Sequence, residues 1–355
     1  MNLSLTVRDT RHALVLTALS LVLVITVLVS LTVGAVTIPV GDVIIILLQK
    51  IGLFSQLQVD SMHEVVLTTI RFPRVVMTLL VGGALGVSGA ALQGLFRNPL
   101  VEPGLIGVSG GSAAAVVLMI VFGSGFFLST DNLLYDAIIP IVAFGGGALA
   151  TFMVLGLGKQ SGKTNIAVLV LTGVAINALA GSVIGLSVFY ADENQLRTFT
   201  FWTLGDLGGA TPGKLLITAP LLIGSMAALL LQSRSLNAIA LGEAEAYHMG
   251  VNVERTKRII VLSSALAVGV SVSLAGIIGF IGLVIPHLIR VVFHADQRLV
   301  LPASVLGGAW LLIIADVVAR TIVAPAELPI GVMTGLIGAP FFIMLLMKAQ
   351  LKNEI

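Results

Sequence analysis

The 355-residue chain contains no cysteine, and only 10% of its residues are charged. Without cysteine there is no disulfide framework and no thiolate metal site. A soluble domain carries roughly a quarter charged residues, so this composition excludes an ordinary water-soluble fold. Aromatics are also scarce, at 6%, and no basic stripe interleaves with them, which argues against nucleic-acid binding. What is abundant is apolar: 57% of residues are hydrophobic and mean hydropathy is +1.10. The chain reads as an all-α, polytopic transmembrane helical bundle, a single domain over 1–355.

Arg8 and Arg11 precede an apolar run from about Ala13 to Val36. That run exceeds a signal-peptide core of roughly 7–15 residues, so it is expected to be a retained signal anchor and first span. Further apolar windows lie near 75–96, 105–128, 137–158, 166–190, 215–231, 259–280, 302–324 and 330–348. A short helix over 281–293 brings the count to about ten. With an inside N-terminus and ten alternating helices, thirteen of the 19 Lys and Arg residues fall inside and six outside. The outer six are Lys50, Arg71, Arg74, Arg197, Lys214 and Arg320. The positive-inside rule therefore favours ten helices with both termini cytoplasmic.

The stretch GLGKQSGKT, 156–164, imitates a phosphate-binding loop. The pattern requires glycine five residues before Gly162, where the chain has Leu157, and the stretch follows a membrane helix instead of a strand. Lys159 and Lys163 are better explained as topology-setting charges. Small residues recur every four positions at Gly82, Gly86, Ala90 and Gly94, and again at Gly331, Gly335 and Ala339. Such stripes let helix backbones approach closely in lipid.

Three connecting stretches are too polar or too rigid for simple connectors. Residues 95–112 carry Pro99 and Pro103, with Asn98 and Glu102 beside the freed backbone. Residues 232–258 are expected to form two short helices joined near Met249–Gly250, with Leu241, Ala244, Ala246 and Tyr247 available for docking. Residues 279–298 contain Pro286–His287 ahead of Arg290.

These stretches, RFPR at 71–74, GALGVSGAALQGLFRNPLVEPGLIGVSGG, LGEAEAYHMGV, GIIGFIGLVIPHLIR and ELPIGVMTGLIGAPFF, resemble the iron-chelate, haem and cobalamin importer permeases. Those are the type II, FecCD-type permeases of ATP-binding-cassette importers. The resemblance runs in order from about 71 to 348. It implies a homodimer in the bacterial inner membrane, two cytoplasmic ATPase subunits below it, a periplasmic substrate-binding protein above it, no resident cofactor and no catalysis by this chain. It matches Arg71, Arg74 and Arg320 to arginines that dock the binding protein. It matches Leu241, Gly242, Glu243, Ala246 and Gly250, in the coupling loop at about 232–258, to the ATPase-coupling helices. Asn98 and Leu100 match the inner gate, and Asn165, Ile166 and Ala167 align near a second gate, where some relatives carry small hydroxyl residues.

The outer stretch LRTFTFWTLGDLGGAT, 196–211, is similar to the haem-importing branch. Haem is therefore the expected ligand, with cobalamin or a ferric siderophore as the alternative within the family. His63, His287 and His294 are not assigned as metal ligands. An ion-coupled secondary transporter would need midplane carboxylates, for which Asp316 is the one candidate. An intramembrane enzyme would need a nucleophile with a base, or a metal motif.

Overall fold

The structure is a computed structural model describing residues 3–50, 52–53, 56–123, 132–160 and 163–353. Among the described residues, ten apolar helices form the bundle. Seven are long enough to cross a membrane and three are shorter. In chain order the helices are α1 (Leu3–Thr32), α2 (Val40–Lys50), α3 (Ser61–Val65), α4 (Phe72–Phe96), α5 (Val108–Phe122) and α6 (Asn132–Leu157), then α7 (Ile166–Tyr190), α8 (Glu193–Leu204), α9 (Pro212–Leu230), α10 (Ser233–Leu241) and α11 (Glu243–His248), and finally α12 (Val253–Ala275), α13 (Ile281–Phe293), α14 (Gln297–Ala319) and α15 (Ile330–Asn353). The ten bundle helices are α1, α4, α5, α6, α7, α9, α12, α13, α14 and α15. The chain is a multi-pass membrane protein. The end of the third expected span, 124–128, lies outside the described residues, as do Ser161 and Gly162 of the GLGKQSGKT stretch. Either side of them, Lys159–Gln160 and Lys163–Thr164 pair antiparallel as a two-residue hairpin.

The second span differs from its sequence expectation. It begins at Ser61, not near 75, because α3 runs through a π-helical turn (Val66–Arg71) into α4 as one 36-residue rod. At the junction Phe72 N–H bonds the Leu67 carbonyl, five residues back. Pro73, which has no N–H, then falls where the hydrogen-bond ladder is already shifted. The charge at Arg74 is paired with distant carboxylates, and the donors of Arg71 are taken up by backbone carbonyls. Asp60 caps the rod, accepting from Met62 N–H at 2.8 Å.

This rod is the centre of the bundle. In its most apolar window 83% of residues are buried, against 17% for α1, α7 and α9. Its main partner is α14, which runs antiparallel to it. A methyl group on Gly82 would stand 2.5 Å from the Gly308 carbonyl oxygen, and one on Gly86 would overlap the Ser304 carbonyl. Four residues forward on α4 thus correspond to four residues back on α14. The same register sets Arg74 opposite Asp316 at one end and brings Gly94 against Gln297 at the other. On a neighbouring face Gly89 meets the Gly282 backbone of α13. The first small-residue stripe is therefore a packing device. The second is one only in part: Gly331 packs on the Leu204 carbonyl, while Gly335 faces open space.

The coupling loop also departs from its expected layout. Its two helices, α10 and α11, break at Gly242, seven residues before Met249. Gly242 has φ +144°, a conformation open to glycine and strained for a side chain. Gly250, at φ +82°, instead turns the chain into α12.

Candidate functional site

At one end of the α4–α14 pair a single carboxylate gathers two guanidinium groups. Arg74 approaches Asp316 Oδ1 from Nε at 2.9 Å and from Nη2 at 2.8 Å. Its Nη1 reaches Glu327 Oε2 at 2.8 Å. Arg320 Nε lies 3.2 Å from Asp316 Oδ2, an ion-pair distance without hydrogen-bond alignment. Arg320 Nη2 also donates to Ser30, at 2.8 Å to the carbonyl and 2.7 Å to Oγ. Arg71 completes the cluster by closing the end of α1: it donates to the carbonyls of Leu31 (2.7 Å), Thr32 (2.9 Å) and Val36. Those carbonyls sit where α1 has run out of internal donors.

The three arginines expected at the docking rim are thus brought together, but they point inward. Arg71, Arg74, Arg320 and Asp316 are all buried. A buried carboxylate is tolerable only when paired and hydrogen-bonded. The Asp316–Arg320 pair, one turn apart, was legible in the sequence; the Arg74–Asp316 contact, 242 residues apart, was not. Glu327, the exposed member of the network, opens the ELPIGVMTGLIGAPFF stretch but was not among the expected site residues.

The opposite end holds the stretch interrupted by proline. Arg97, in the left-handed conformation at φ 49°, ends α4. Asn98 Oδ1 then accepts from Leu100 N–H at 2.9 Å, a local turn suited to asparagine. Leu100 is exposed and, with Pro99, lines a small groove with Leu283, Val284, His287, Phe341 and Phe342. Carbonyls freed by the prolines and by the start of α13 converge on Gln93. Its Nε2 lies 3.3 Å from Val101 O, 3.1 Å from Gly282 O and 3.3 Å from Leu283 O. Arg290 binds the other end of that amide and donates to Ala90 O at 3.0 Å. Glu102 Oε1 accepts from Phe280 N–H at 3.2 Å, holding the left-handed turn that starts α13. Gln93 and Arg290 are therefore positioning residues; the sequence drew attention to Arg290 beside Pro286–His287 but did not single out Gln93. A polar side chain inside an apolar, glycine-rich helix was the available signal for Gln93.

Nearby, Asn165 caps α7, accepting from Ala167 N–H at 3.0 Å and Val168 N–H at 3.3 Å. Ile166 is half-buried and Ala167 exposed. Asn165 and Ile166 share an open groove of about 1190 Å³ with Glu243, Tyr247, Gly250 and Glu254. Two stretches that the sequence left separate, 165–166 and the loop 232–258, therefore border one groove. Asn98 and Leu100 do not line that groove. Within the loop, Leu241 is 70% exposed and Tyr247 72% exposed, whereas Ala246 is fully buried. Ala246 anchors the helix from beneath and does not present itself for docking. Asn237 of α10 is clamped to the start of α14, donating to Asp296 Oδ1 at 2.6 Å and accepting from Gln297 N–H at 2.9 Å.

Thr164, the last residue of the hairpin, is held by its backbone and its hydroxyl. Its N–H and Oγ1 donate to the two carboxylate oxygens of Glu254, at 3.1 and 2.6 Å. Its carbonyl accepts from Lys257 Nζ at 3.1 Å, and the same ammonium donates to Glu243 Oε2 at 2.8 Å.

The helix α8 begins with a capping box made by Asp192 and Gln195. Phe199 stacks on Trp202 with centroids 6.5 Å apart, and the Arg197 guanidinium sits 5.8 Å above the exposed Phe201 ring. Of the histidines, His63 Nδ1 lies 2.7 Å from Asp42 Oδ2. Among the described residues, no three His, Cys, Asp or Glu side chains gather in a way that could hold a metal.

The model of the FecCD transport family matches residues 22–348. The Yersinia pestis hemin transport system permease protein HmuU is 44% identical over 82% of this chain and 85% of its own length. The Serratia proteamaculans vitamin B12 import system permease protein BtuC is 41% identical over 79% of this chain and 81% of its own. Among solved structures, an inward-facing conformation of a metal-chelate type ABC transporter superposes with a TM-score of 0.80 at 32% identity, covering 94% of this chain and 98% of that one.

Proposed function

The chain belongs to the FecCD transport family and is an ABC importer permease; from that premise we propose that it carries haem from the periplasm to the cytoplasm by alternating access. It works as a homodimer in the bacterial inner membrane, with both termini cytoplasmic and with two ATPase subunits and a periplasmic binding protein as partners. One observation carries the division of labour. The arginine cluster and the exposed coupling helices sit at opposite ends of the α4–α14 pair, which joins them as one rigid unit. Because Arg71, Arg74 and Arg320 are buried, docking at their end engages the exposed Glu327 beside them, or requires the arginines to exchange partners.

Haem as ligand rests on the similarity to the hemin permease and on α8. An exposed aromatic ring beneath a guanidinium suits a flat apolar macrocycle bearing carboxylates. Cobalamin is the second candidate, since vitamin B12 permeases align nearly as well. Ligand passes along the dimer axis beside α7, where Gly181 and Gly185 face open space. The test is uptake by proteoliposomes containing this chain and its cognate ATPase, with the binding protein loaded in turn with haem, cobalamin or a ferric siderophore. ATP-dependent accumulation of haem is expected. Accumulation of cobalamin alone would replace the ligand, and ATP-independent uptake driven by an ion gradient would replace the transport class.

A further inference from the structure

Three groups at the coupling end have no role so far, Thr164, Glu254 and Lys257, and they share hydrogen bonds with a fourth, Glu243. They come from three separate parts of the chain. Thr164 ends the hairpin that leads into α7, Glu243 opens the coupling helix α11, and Glu254 and Lys257 occupy the first turns of α12. Lys257 is 5% exposed. A lysine this buried is costly unless its ammonium is satisfied. It is satisfied by two acceptors on different elements, the Glu243 carboxylate at 2.8 Å and the Thr164 carbonyl at 3.1 Å. Glu254 grips the same Thr164 through both carboxylate oxygens. Arg258 Nε, one turn further along α12, lies 3.3 Å from Glu254 Oε1 and holds that carboxylate in place.

We propose that Lys257 and Glu254 form a latch that ties the coupling helix to the start of α7, so that displacement of α11 repositions Asn165, Ile166 and Ala167. Lys257 is a positioning residue: it contacts no ligand and acts through the hairpin. The geometry leaves little slack. Asn165, which caps α7, is bonded directly to Thr164 in the chain, so Thr164 cannot shift without moving the first turn of that helix. The open groove bounded by Glu243, Tyr247, Glu254 and Asn165 lies beside these contacts. A partner seated in that groove bears on the coupling helix and the α7 cap together. The latch deepens the transport reading above and rests on it.

The test uses the assembled complex with its ATPase and loaded binding protein in proteoliposomes, and reads ligand imported per ATP hydrolysed. Wild-type complex must import under ATP; if it does not, the transport reading fails before the latch is tested. Lys257→Met keeps the chain length and removes both bonds. It is expected to lower import per ATP at least about tenfold while ATP hydrolysis continues, with Lys257→Arg recovering most of the loss. An unchanged ratio in Lys257→Met would overturn the latch. Should Lys257→Met fail to assemble, Glu254→Gln decides on the same ratio: a drop of several-fold supports the latch, and a wild-type ratio overturns it. A merely structural role would lower the yield of complex and leave the ratio unmoved. The cysteine-free sequence permits a direct check with spin labels at Ala167→Cys in both protomers. ATP is expected to shift their separation in wild-type latch background and not in Lys257→Met.

Discussion

Arg74 and Asp316 meet through two nitrogens on one oxygen, at 2.9 and 2.8 Å, across the antiparallel register of α4 and α14. Breaking such a buried pair from one side leaves an uncompensated charge, at a cost of about 3–5 kcal/mol. Asp316→Leu alone, which strands the buried Arg74 and Arg320 guanidiniums, should therefore destabilise the detergent-solubilised protein by an amount of that order. Arg74→Met combined with Asp316→Leu should cost less than the sum of the two single changes. Denaturant titration of the four proteins, read as a double-mutant cycle, checks both statements. A strictly additive result would mean the pair contributes nothing to the bundle.

That burial also changes what charge reversal at this end can report. Arg71→Glu with Arg74→Glu places two carboxylates beside Asp316 and Glu327, and should lower protein yield before binding-protein affinity can be measured. Glu327→Ala is the cleaner probe, because Glu327 is exposed. It should change the Kd for the binding protein several-fold, with stability within roughly 1 kcal/mol of wild type. Unchanged affinity would exclude Glu327 from the docking face.

Two glycines of similar chemistry should behave in opposite ways. Gly89→Ala drives a methyl into the Gly282 backbone, and overpacking of this kind costs about 1–3 kcal/mol. Gly185→Ala meets open space on α7, so the monomer should keep its melting temperature. Any effect of Gly185→Ala should appear in the uptake rate, as expected if that face borders the ligand path. Equal melting shifts in the two variants would contradict this assignment.

The coupling helices separate surface from support just as clearly. Tyr247→Ala and Leu241→Glu alter residues that are 72% and 70% exposed, and should weaken ATPase co-purification at least about tenfold without loss of stability. Ala246→Glu places a charge at a fully buried position and should abolish folding of the loop. Retained ATPase binding in Tyr247→Ala, Leu241→Glu and their combination would move the coupling surface elsewhere.

The features legible in the sequence were those with a local physical signature. Apolar windows identified the ten bundle helices, including the short 281–293 piece, because each window carries its own hydrophobicity. The four-residue stripe at Gly82 and Gly86 announced close packing, although not its partner. What escaped were features whose cause lies far along the chain. Arg71 and Arg74 read as a helix boundary because their partners, Leu31 and Asp316, are distant in sequence. The break at Gly242 was misplaced because both Gly242 and Gly250 punctuate the loop, and only the backbone angles distinguish the hinge from the exit. Thr164, Glu254 and Lys257 gave no signal at all. A threonine, a glutamate and a lysine at helix ends and in connecting loops look like solvated polar residues until the fold brings them within hydrogen-bond reach.

The 242-residue separation of Arg74 from Asp316 also has a meaning in time. During synthesis α4 emerges long before α14. At about 5–20 residues per second, the gap corresponds to roughly 12–50 s. Through that interval the most central helix of the finished bundle carries a guanidinium with no carboxylate to meet it. The last third of the chain thus supplies the counterion that the first third lacks.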